Sequence, residues 1–189
     1  MEIISKASIR KKYKELRSNL SSGEIDALSE EITKQLLKNF QFNNSIVHLF
    51  LTIEKLKEVN TLYLMNELFK LNVSLSTSVY NISNTKHVHI FSDTQYKKGH
   101  LDIPIPNSSK PSSLIELDFI IVPLLGYDNK GNRIGYGKGI YDNILSKCSE
   151  NCKKIGVSFF DPEPEFSSEP HDIKLDYCQT PNTLFNFNK

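Results

Sequence analysis

The chain has 189 residues, 39% of them hydrophobic, and a formal net charge of +1 at pH 7. That length and apolar content suffice for one domain with a substantial core, so we expect a single domain over residues 1–189. No apolar run approaches the about 20 residues of a membrane helix, and the amino terminus lacks a secretory pattern. The small net charge gives no reason to expect a nucleic-acid partner. We therefore expect a cytoplasmic protein that neither spans a membrane nor binds nucleic acid.

Helical and strand patterns alternate along the chain. Residues 5–20 carry an apolar stripe at helical spacing. Ser21 and Glu24 then form a capping box for a second helix that runs to about residue 38. Further helices are predicted at residues 61–71 and 141–148, and short apolar strands at residues 45–51, 73–79, 87–91, 117–122 and 154–159. This alternation predicts a layered α/β domain with a mainly parallel sheet.

The three cysteines do not form a recognisable framework. Their number is odd, and the spacing of Cys148 and Cys152 fits neither a disulfide framework nor a common zinc motif. We expect Cys148, Cys152 and Cys178 to be free thiols.

A glycine-rich segment from Gly126 to Gly139 holds five of the eight glycines. It follows one predicted strand, precedes a predicted helix and carries Arg133 and Lys138. A surface loop of this kind can hold phosphate, because glycines admit an anion close to backbone N–H groups and the cations neutralise its charge. The alternative is a tight crossover whose cations are only solvated. The spacing matches neither a Walker A loop nor a dinucleotide fingerprint.

Other polar residues are ambiguous from spacing alone. Lys6 and Arg10 are four residues apart on a predicted helix, so they either converge on one anion or form a solvated basic face. An RNA-binding interpretation of that helix has little support, because no aromatic platform accompanies it. We expect His48 to be a packed histidine. His87 and His89 share one strand face, but no third metal ligand is evident, so we expect them to be structural.

Residues 131–142 read Gly-Asn-Arg-Ile-Gly-Tyr-Gly-Lys-Gly-Ile-Tyr-Asp. This run resembles the pattern Gly-x-Arg-Leu-Gly-Tyr-Gly-x-Gly-Tyr/Phe-Tyr-Asp of the 5-formyltetrahydrofolate cyclo-ligases, also called methenyltetrahydrofolate synthetases. The resemblance extends from Lys6 to about Pro181. It implies an enzyme that uses ATP and magnesium to convert 5-formyltetrahydrofolate to 5,10-methenyltetrahydrofolate through a phosphorylated formyl intermediate, releasing ADP and phosphate. It also implies a three-layer α/β/α sandwich like that of sugar-phosphate isomerases and CoA transferases, and we expect a monomer.

The resemblance assigns roles to individual residues. Arg133 and Lys138 are expected to be catalytic, and Asp142 and Asp176 to hold the metal. The residues expected to bind ATP are Lys6, Arg10, Arg133, Ile134, Gly135, Tyr136, Gly137, Lys138, Gly139, Ile140 and Tyr141. The residues expected to bind the folate are Leu51, Glu58, Tyr136, Gly137, Lys138, Gly139 and Ile140.

The chain departs from the family pattern at three positions. Asp102 stands where glycine is usual, Ile105 where glutamate is usual, and Ile140 where an aromatic residue is usual. The departures at Asp102 and Ile105 leave open a nucleotide-dependent enzyme that acts on another small substrate. A second alternative is a non-catalytic regulator that binds a phosphorylated ligand through the same loop.

Overall fold

The computed structural model describes residues 5–80, 85–99, 103–107, 110–166, 169 and 172–188. Two helices open the chain, α1 (Lys6–Ser18) and α2 (Ser22–Asn39). The Ser5 hydroxyl caps α1 by accepting the Ser8 N–H, and the predicted capping box of Ser21 and Glu24 is present at the start of α2. Both helices therefore begin where their polar caps stand in the sequence.

The other helices are shorter, and the strands are brief. Helices α3 and α4 span Leu62–Lys70 and Ile140–Leu145, and 3-10 turns span Glu54–Leu56 and Leu114–Glu116. The strands are β1 (Ile46–His48), β2 (Ser74–Tyr80), β3 (Thr85–Ile90), β4 (Tyr96–Lys98), β5 (Pro104–Pro106), β6 (Phe119–Pro123), β7 (Gly126–Tyr127), β8 (Arg133–Ile134), β9 (Lys153–Val157), β10 (Tyr177–Gln179) and β11 (Leu184–Asn186). Strand β1 is shorter than the strand predicted over residues 45–51.

Seven of these strands form one sheet in the order β11-β10-β9-β6-β1-β2-β3. Strands β10, β9, β6, β1 and β2 run parallel, whereas β11 and β3 are antiparallel at the two edges. The predicted mainly parallel sheet is confirmed. Parallel strands present all their carboxyl ends at one edge, which is where ligands of such sheets bind.

Apolar layers cover both faces of the sheet. In β6, Phe119 and Ile121 face the cluster that includes residues of α2 and α3, whereas Ile120 and Val122 face the cluster that includes residues of α4. This alternation follows from the two-residue period of a strand. The fold is therefore the predicted three-layer α/β/α sandwich.

A small hairpin of β7 and β8 anchors α1 beside the carboxyl edge of the sheet. Ile9 and Tyr13 of α1 pack with Leu125 and Ile134 in one buried cluster. Gly126 lets the helix approach closely, since a Cβ there would lie 3.0 Å from the Tyr13 ring. Helix α1 is thereby held over the glycine-rich segment. None of the described helices combines the length and apolar character needed to cross a membrane.

Candidate active site

A cavity of about 430 Å³ opens at the carboxyl edge of the parallel sheet. Its floor comes from residues that end or follow neighbouring strands, including Leu51 after β1, Tyr80 of β2 and Pro123 of β6. Helix α1 and the segment that joins β8 to α4 form the opposite side. The cavity thus lies where a parallel sheet places its ligands.

The part of the lining that comes from α1 and the glycine-rich segment, here called the cationic end, is strongly cationic. The cationic side chains that line it are Lys6, Arg10, Lys14, Arg133 and Lys138. They come from two elements that are distant in sequence, α1 and the glycine-rich segment. Such a concentration of positive charge is suited to a polyanion.

Lys6 joins α1 to the carboxyl-terminal part of the chain. Its Nζ donates to Asp172 Oδ2 at 2.6 Å and to Glu169 Oε1 at 3.1 Å. Burial by itself lowers the pKa of the Lys6 ammonium, but these two carboxylates raise it overall above its ordinary value. Lys6 therefore stays charged at the cavity wall.

Arg133 is buried rather than solvated. Its side chain is only 5% exposed, and Nη2 donates to Asp142 Oδ1 at 2.6 Å. Burial lowers the pKa of the Arg133 guanidinium, while Asp142 and Asp172 oppose that change. The expectation that Arg133 lies on a surface loop is wrong, because the β7–β8 hairpin carries it inward.

Three glycines of the segment, Gly131, Gly137 and Gly139, adopt backbone conformations that other residues avoid. Gly137 has φ of 88° and Gly139 has φ of 62°. The Arg10 guanidinium carbon would lie 3.5 Å from a Cβ at Gly137, and Arg10 Nε donates to the Gly135 carbonyl at 3.0 Å. The glycines therefore allow the segment to curve around the cavity beside α1.

The part of the lining that comes from residues 50–58 and Ile103, here called the apolar end, is apolar except for a buried acid. Glu58 is 4% exposed, and burial raises the pKa of its carboxyl group. Glu58 Oε1 accepts the Tyr136 hydroxyl at 2.8 Å, and Oε2 accepts the Ile53 N–H at 2.8 Å. Apolar wall residues at this end are Phe50, Leu51, Ile53, Leu56 and Ile103. A flat ring with N–H donors would find both an apolar surface and a hydrogen-bond acceptor here.

All the residues predicted to bind ATP or the folate line this one cavity, and so does Asp142. Asp176 does not join them. It stands just before β10, at the amino edge of the sheet, where Oδ2 accepts the Lys154 N–H at 2.7 Å. Asp172, four residues earlier, lines the cavity. The structure therefore brings Asp142 together with Asp172 rather than with Asp176.

The departures from the family pattern have different positions. Ile140 lines the cavity, whereas Ile105 pairs with Lys97 in the β4–β5 ribbon and does not line it. Asp102 lies outside the described residues.

No local pattern predicts the row of hydrogen-bonded polar side chains that crosses three strands. Ser78 Oγ lies 2.7 Å from His48 Nε2 and 2.9 Å from His87 Nδ1, and Ser78 also lines the cavity. Burial lowers the pKa of His48 to about 3 and also lowers that of His87, so both imidazoles are neutral at pH 7. Only the pairing of β1, β2 and β3 brings these residues together.

Comparison with known proteins agrees with this architecture. The model of the 5-formyltetrahydrofolate cyclo-ligase family matches residues 2–181. A 5-formyltetrahydrofolate cyclo-ligase of Mycoplasma genitalium is 30% identical, covering 92% of this chain and 96% of the relative. The Mycoplasma pneumoniae relative of the same name is 26% identical with the same coverage.

A solved structure shows the same fold. The NMR structure of Aquifex aeolicus 5,10-methenyltetrahydrofolate synthetase superimposes with a TM-score of 0.84 at 26% identity, covering 98% of this chain and 94% of that one. The family match spans nearly the whole chain, and residues 133–142 of the family's glycine-rich pattern line one cavity. The chain therefore belongs to the 5-formyltetrahydrofolate cyclo-ligase family, which is a family of enzymes.

Proposed function

We propose that the chain converts 5-formyltetrahydrofolate to 5,10-methenyltetrahydrofolate with ATP and magnesium, releasing ADP and phosphate. The observation that carries the proposal is the two-ended cavity. Its cationic end suits a triphosphate, and its apolar end with Glu58 suits a pterin ring. The two substrates would then meet at the segment from Arg133 to Asp142.

The chemistry explains why ATP is needed. The formyl oxygen is a poor leaving group at neutral pH. Transfer of the γ-phosphoryl group to that oxygen breaks the bond to ADP and makes the oxygen part of a good leaving group. N10 then bonds to the formyl carbon, the C–O bond breaks, phosphate departs and the N10 proton is lost.

The protein's part is to position the substrates and neutralise charge, as in phosphoryl transfer generally. Lys6 and Arg10 would hold the triphosphate from α1. Lys138 is exposed at the cavity and would neutralise the transferred group, with Arg133 held behind it by Asp142. The apolar wall would exclude water from the intermediate.

The residues at the cationic end fit a magnesium ion that is shared with a substrate. Asp142 and Asp172 supply hard carboxylate oxygens, which magnesium prefers. No cluster of three metal-binding side chains is found in the described part of the chain. An ion held by one or two carboxylates would take phosphate oxygens and water as its other ligands. When bound, magnesium would neutralise charge on the phosphates.

The alternative substrate has less support than the folate. It depended on Asp102 and Ile105; Ile105 does not line the cavity, and Asp102 lies outside the described residues. A non-catalytic regulator would not need carboxylates beside the phosphate-binding cations. A cytoplasmic location belongs to the same proposal, and the three free cysteines are consistent with a reducing compartment.

A direct assay tests the proposal. The purified chain is incubated with 5-formyltetrahydrofolate, ATP and magnesium, and methenyltetrahydrofolate absorbance and ADP are followed together. We expect one ADP for each product molecule, and no product after chelation with EDTA. ADP without folate product would favour another substrate, and ATP binding with neither product would favour a regulator.

A further inference from the structure

Helix α1 carries a buried arginine that the proposed function does not use. Arg17 lies two turns beyond Arg10 and is 3% exposed. Its Nη1 donates to the Tyr136 hydroxyl at 3.0 Å, and its Nη2 donates to the Leu124 carbonyl. Arg17 of α1 therefore contacts Tyr136, the residue that follows Gly135, and the Gly135 carbonyl is the group that accepts from Arg10.

The directions of the hydrogen bonds are fixed by chemistry. A guanidinium can only donate, so the Tyr136 oxygen accepts from Arg17. The single hydroxyl proton of Tyr136 is then available for Glu58 Oε1, 2.8 Å away. The three side chains form one ordered chain from cation to hydroxyl to carboxylate.

This chain of hydrogen bonds affects the ionisation of Glu58. Burial raises the pKa of Glu58, whereas the Ile53 N–H, the Tyr136 hydroxyl and the Arg17 charge each lower it. Tyr141 faces the same acid from α4, and Glu58 together with burial raises the pKa of Tyr141. Neutral Tyr141 and Tyr136 leave Arg17 as the cation that offsets the burial of Glu58.

We propose that Arg17 is a positioning residue that acts through Tyr136 to orient the Glu58 carboxylate and keep it ionised for the N–H donors of the pterin ring. This inference rests on the proposed function, because it assumes that the folate occupies the apolar end of the cavity. Helix α1 would then serve both substrates, ATP through Lys6 and Arg10 and the folate through Arg17. A purely structural Arg17 would instead only tie α1 to Leu124.

The first experiment measures Glu58 directly. NMR of the 13C-labelled glutamate carboxyl groups is recorded against pH in the wild type and in Arg17→Met, with Glu58 assigned by Glu58→Gln. We expect Arg17→Met to move the midpoint of the Glu58 titration up by about one pH unit or more, since an opposite charge is lost. An unchanged midpoint would overturn the proposal. Tyr136→Phe keeps Arg17 in place and should move the midpoint in the same direction.

The second experiment separates folate binding from ATP binding. We expect Arg17→Met to raise the KM for 5-formyltetrahydrofolate about tenfold, because a hydrogen-bond arrangement that involves a charged group is lost. The KM for ATP should stay within about twofold of the wild-type value. Because Glu58 must be ionised, the acidic limb of kcat/KM should move to higher pH in this variant. Arg17→Lys keeps the charge and should move the limb less. Lys11→Met, on the exposed side of the same helix, is the matched control.

The outcomes are distinguishable. If the wild type forms no methenyltetrahydrofolate, the proposed function fails, and the positioning role of Arg17 in folate binding fails with it. If the wild type is active but Arg17→Met raises both KM values equally without moving the acidic limb, Arg17 is only structural and the inference alone fails.

Discussion

Asp172 and Asp176 are four residues apart, and their different positions relative to the sheet give them different contacts. Asp172 lines the cavity and pairs with Lys6, whereas Asp176 supports the start of β10 through the Lys154 N–H. Both are acids in the same short stretch near the carboxyl terminus, so the sequence does not distinguish them. Their positions relative to the sheet do, because β10 begins at the edge opposite the cavity.

Isosteric substitutions should separate the two roles. We expect Asp172→Asn to raise the magnesium concentration for half-maximal turnover by at least about tenfold, since even outer partners of metal ligands have effects of that size. Asp176→Asn should leave the magnesium dependence unchanged. Magnesium titrations of turnover check both variants, and an equal effect of Asp176→Asn would contradict this division of roles.

The contribution of Arg133 also depends on its position in the fold, because its side chain is buried against Asp142. Removing its side chain leaves the Asp142 carboxylate without its 2.6 Å partner. We expect Arg133→Ala to abolish ATP-dependent turnover and also to lower the free energy of unfolding by about 1–3 kcal/mol. Urea unfolding measures the second effect. An unchanged stability would mean that Asp142 finds another partner, and wild-type turnover would remove Arg133 from the mechanism.

At the scale of elements, three strands are joined by side chains as well as by backbone. Ser78 of β2 links His48 of β1 and His87 of β3. The buried His48 ring has its Nε2 satisfied by Ser78, while its Nδ1 has no partner among the described residues. The serine hydroxyl therefore satisfies a nitrogen that water does not reach.

Removal of that hydroxyl should destabilise the sheet. We expect Ser78→Ala to lower the free energy of unfolding by about 1–3 kcal/mol, because a buried imidazole nitrogen loses its partner. Ser74→Ala, at an exposed position of the same strand, should change it little. Chemical denaturation of both variants checks the comparison, and equal values would show that the link contributes nothing.

The same histidine should make stability depend on pH. In the unfolded chain an imidazole titrates near pH 6.5, whereas folded His48 titrates at about 3. The unfolded state therefore takes up a proton first as the pH falls, and about 2 kcal/mol of stability should be lost between pH 6.5 and 5. A His48→Gln variant should lack this loss. If the free energies of unfolding of the wild type and His48→Gln changed with pH in the same way, the expectation would be wrong.

At the scale of the whole molecule, close packing between the sheet and the carboxyl-terminal segment requires a glycine. A Cβ at Gly156 of β9 would lie 2.6 Å from Leu175 Cδ1 and 2.7 Å from Leu124 Cδ2. Those leucines are buried in the cluster that also holds Ile144 of α4. The glycine thus sets the distance between two layers.

Overpacking at this point should be costly. We expect Gly156→Ala to lower the free energy of unfolding by about 1–3 kcal/mol. Gly23→Ala is the control, since a Cβ at Gly23 would meet nothing within 4 Å. It should be neutral or slightly stabilising, because alanine favours a helix. Urea unfolding distinguishes the two, and a neutral Gly156→Ala would show that the two leucines can move aside.

The sequence by itself determined the elements with strong local signals. The capping residues Ser5 and Ser21 fix where α1 and α2 begin, and the glycine spacing from Gly135 to Gly139 identifies the family pattern. These signals are readable because the interactions lie within a few residues of each other. The alternation of helices and apolar strands likewise suffices for the layered fold.

The tertiary structure alone decided which polar groups meet. Arg17 reaches Tyr136 across 119 positions, and Ser78 stands between two histidines of different strands. The choice of Asp172 over Asp176 and the burial of Arg133 were also decided by the fold. Contacts between distant residues depend on strand order and helix packing, and no local pattern encodes those distances. The glycine-rich segment names the family, but only the assembled sheet shows which side chains surround the cavity.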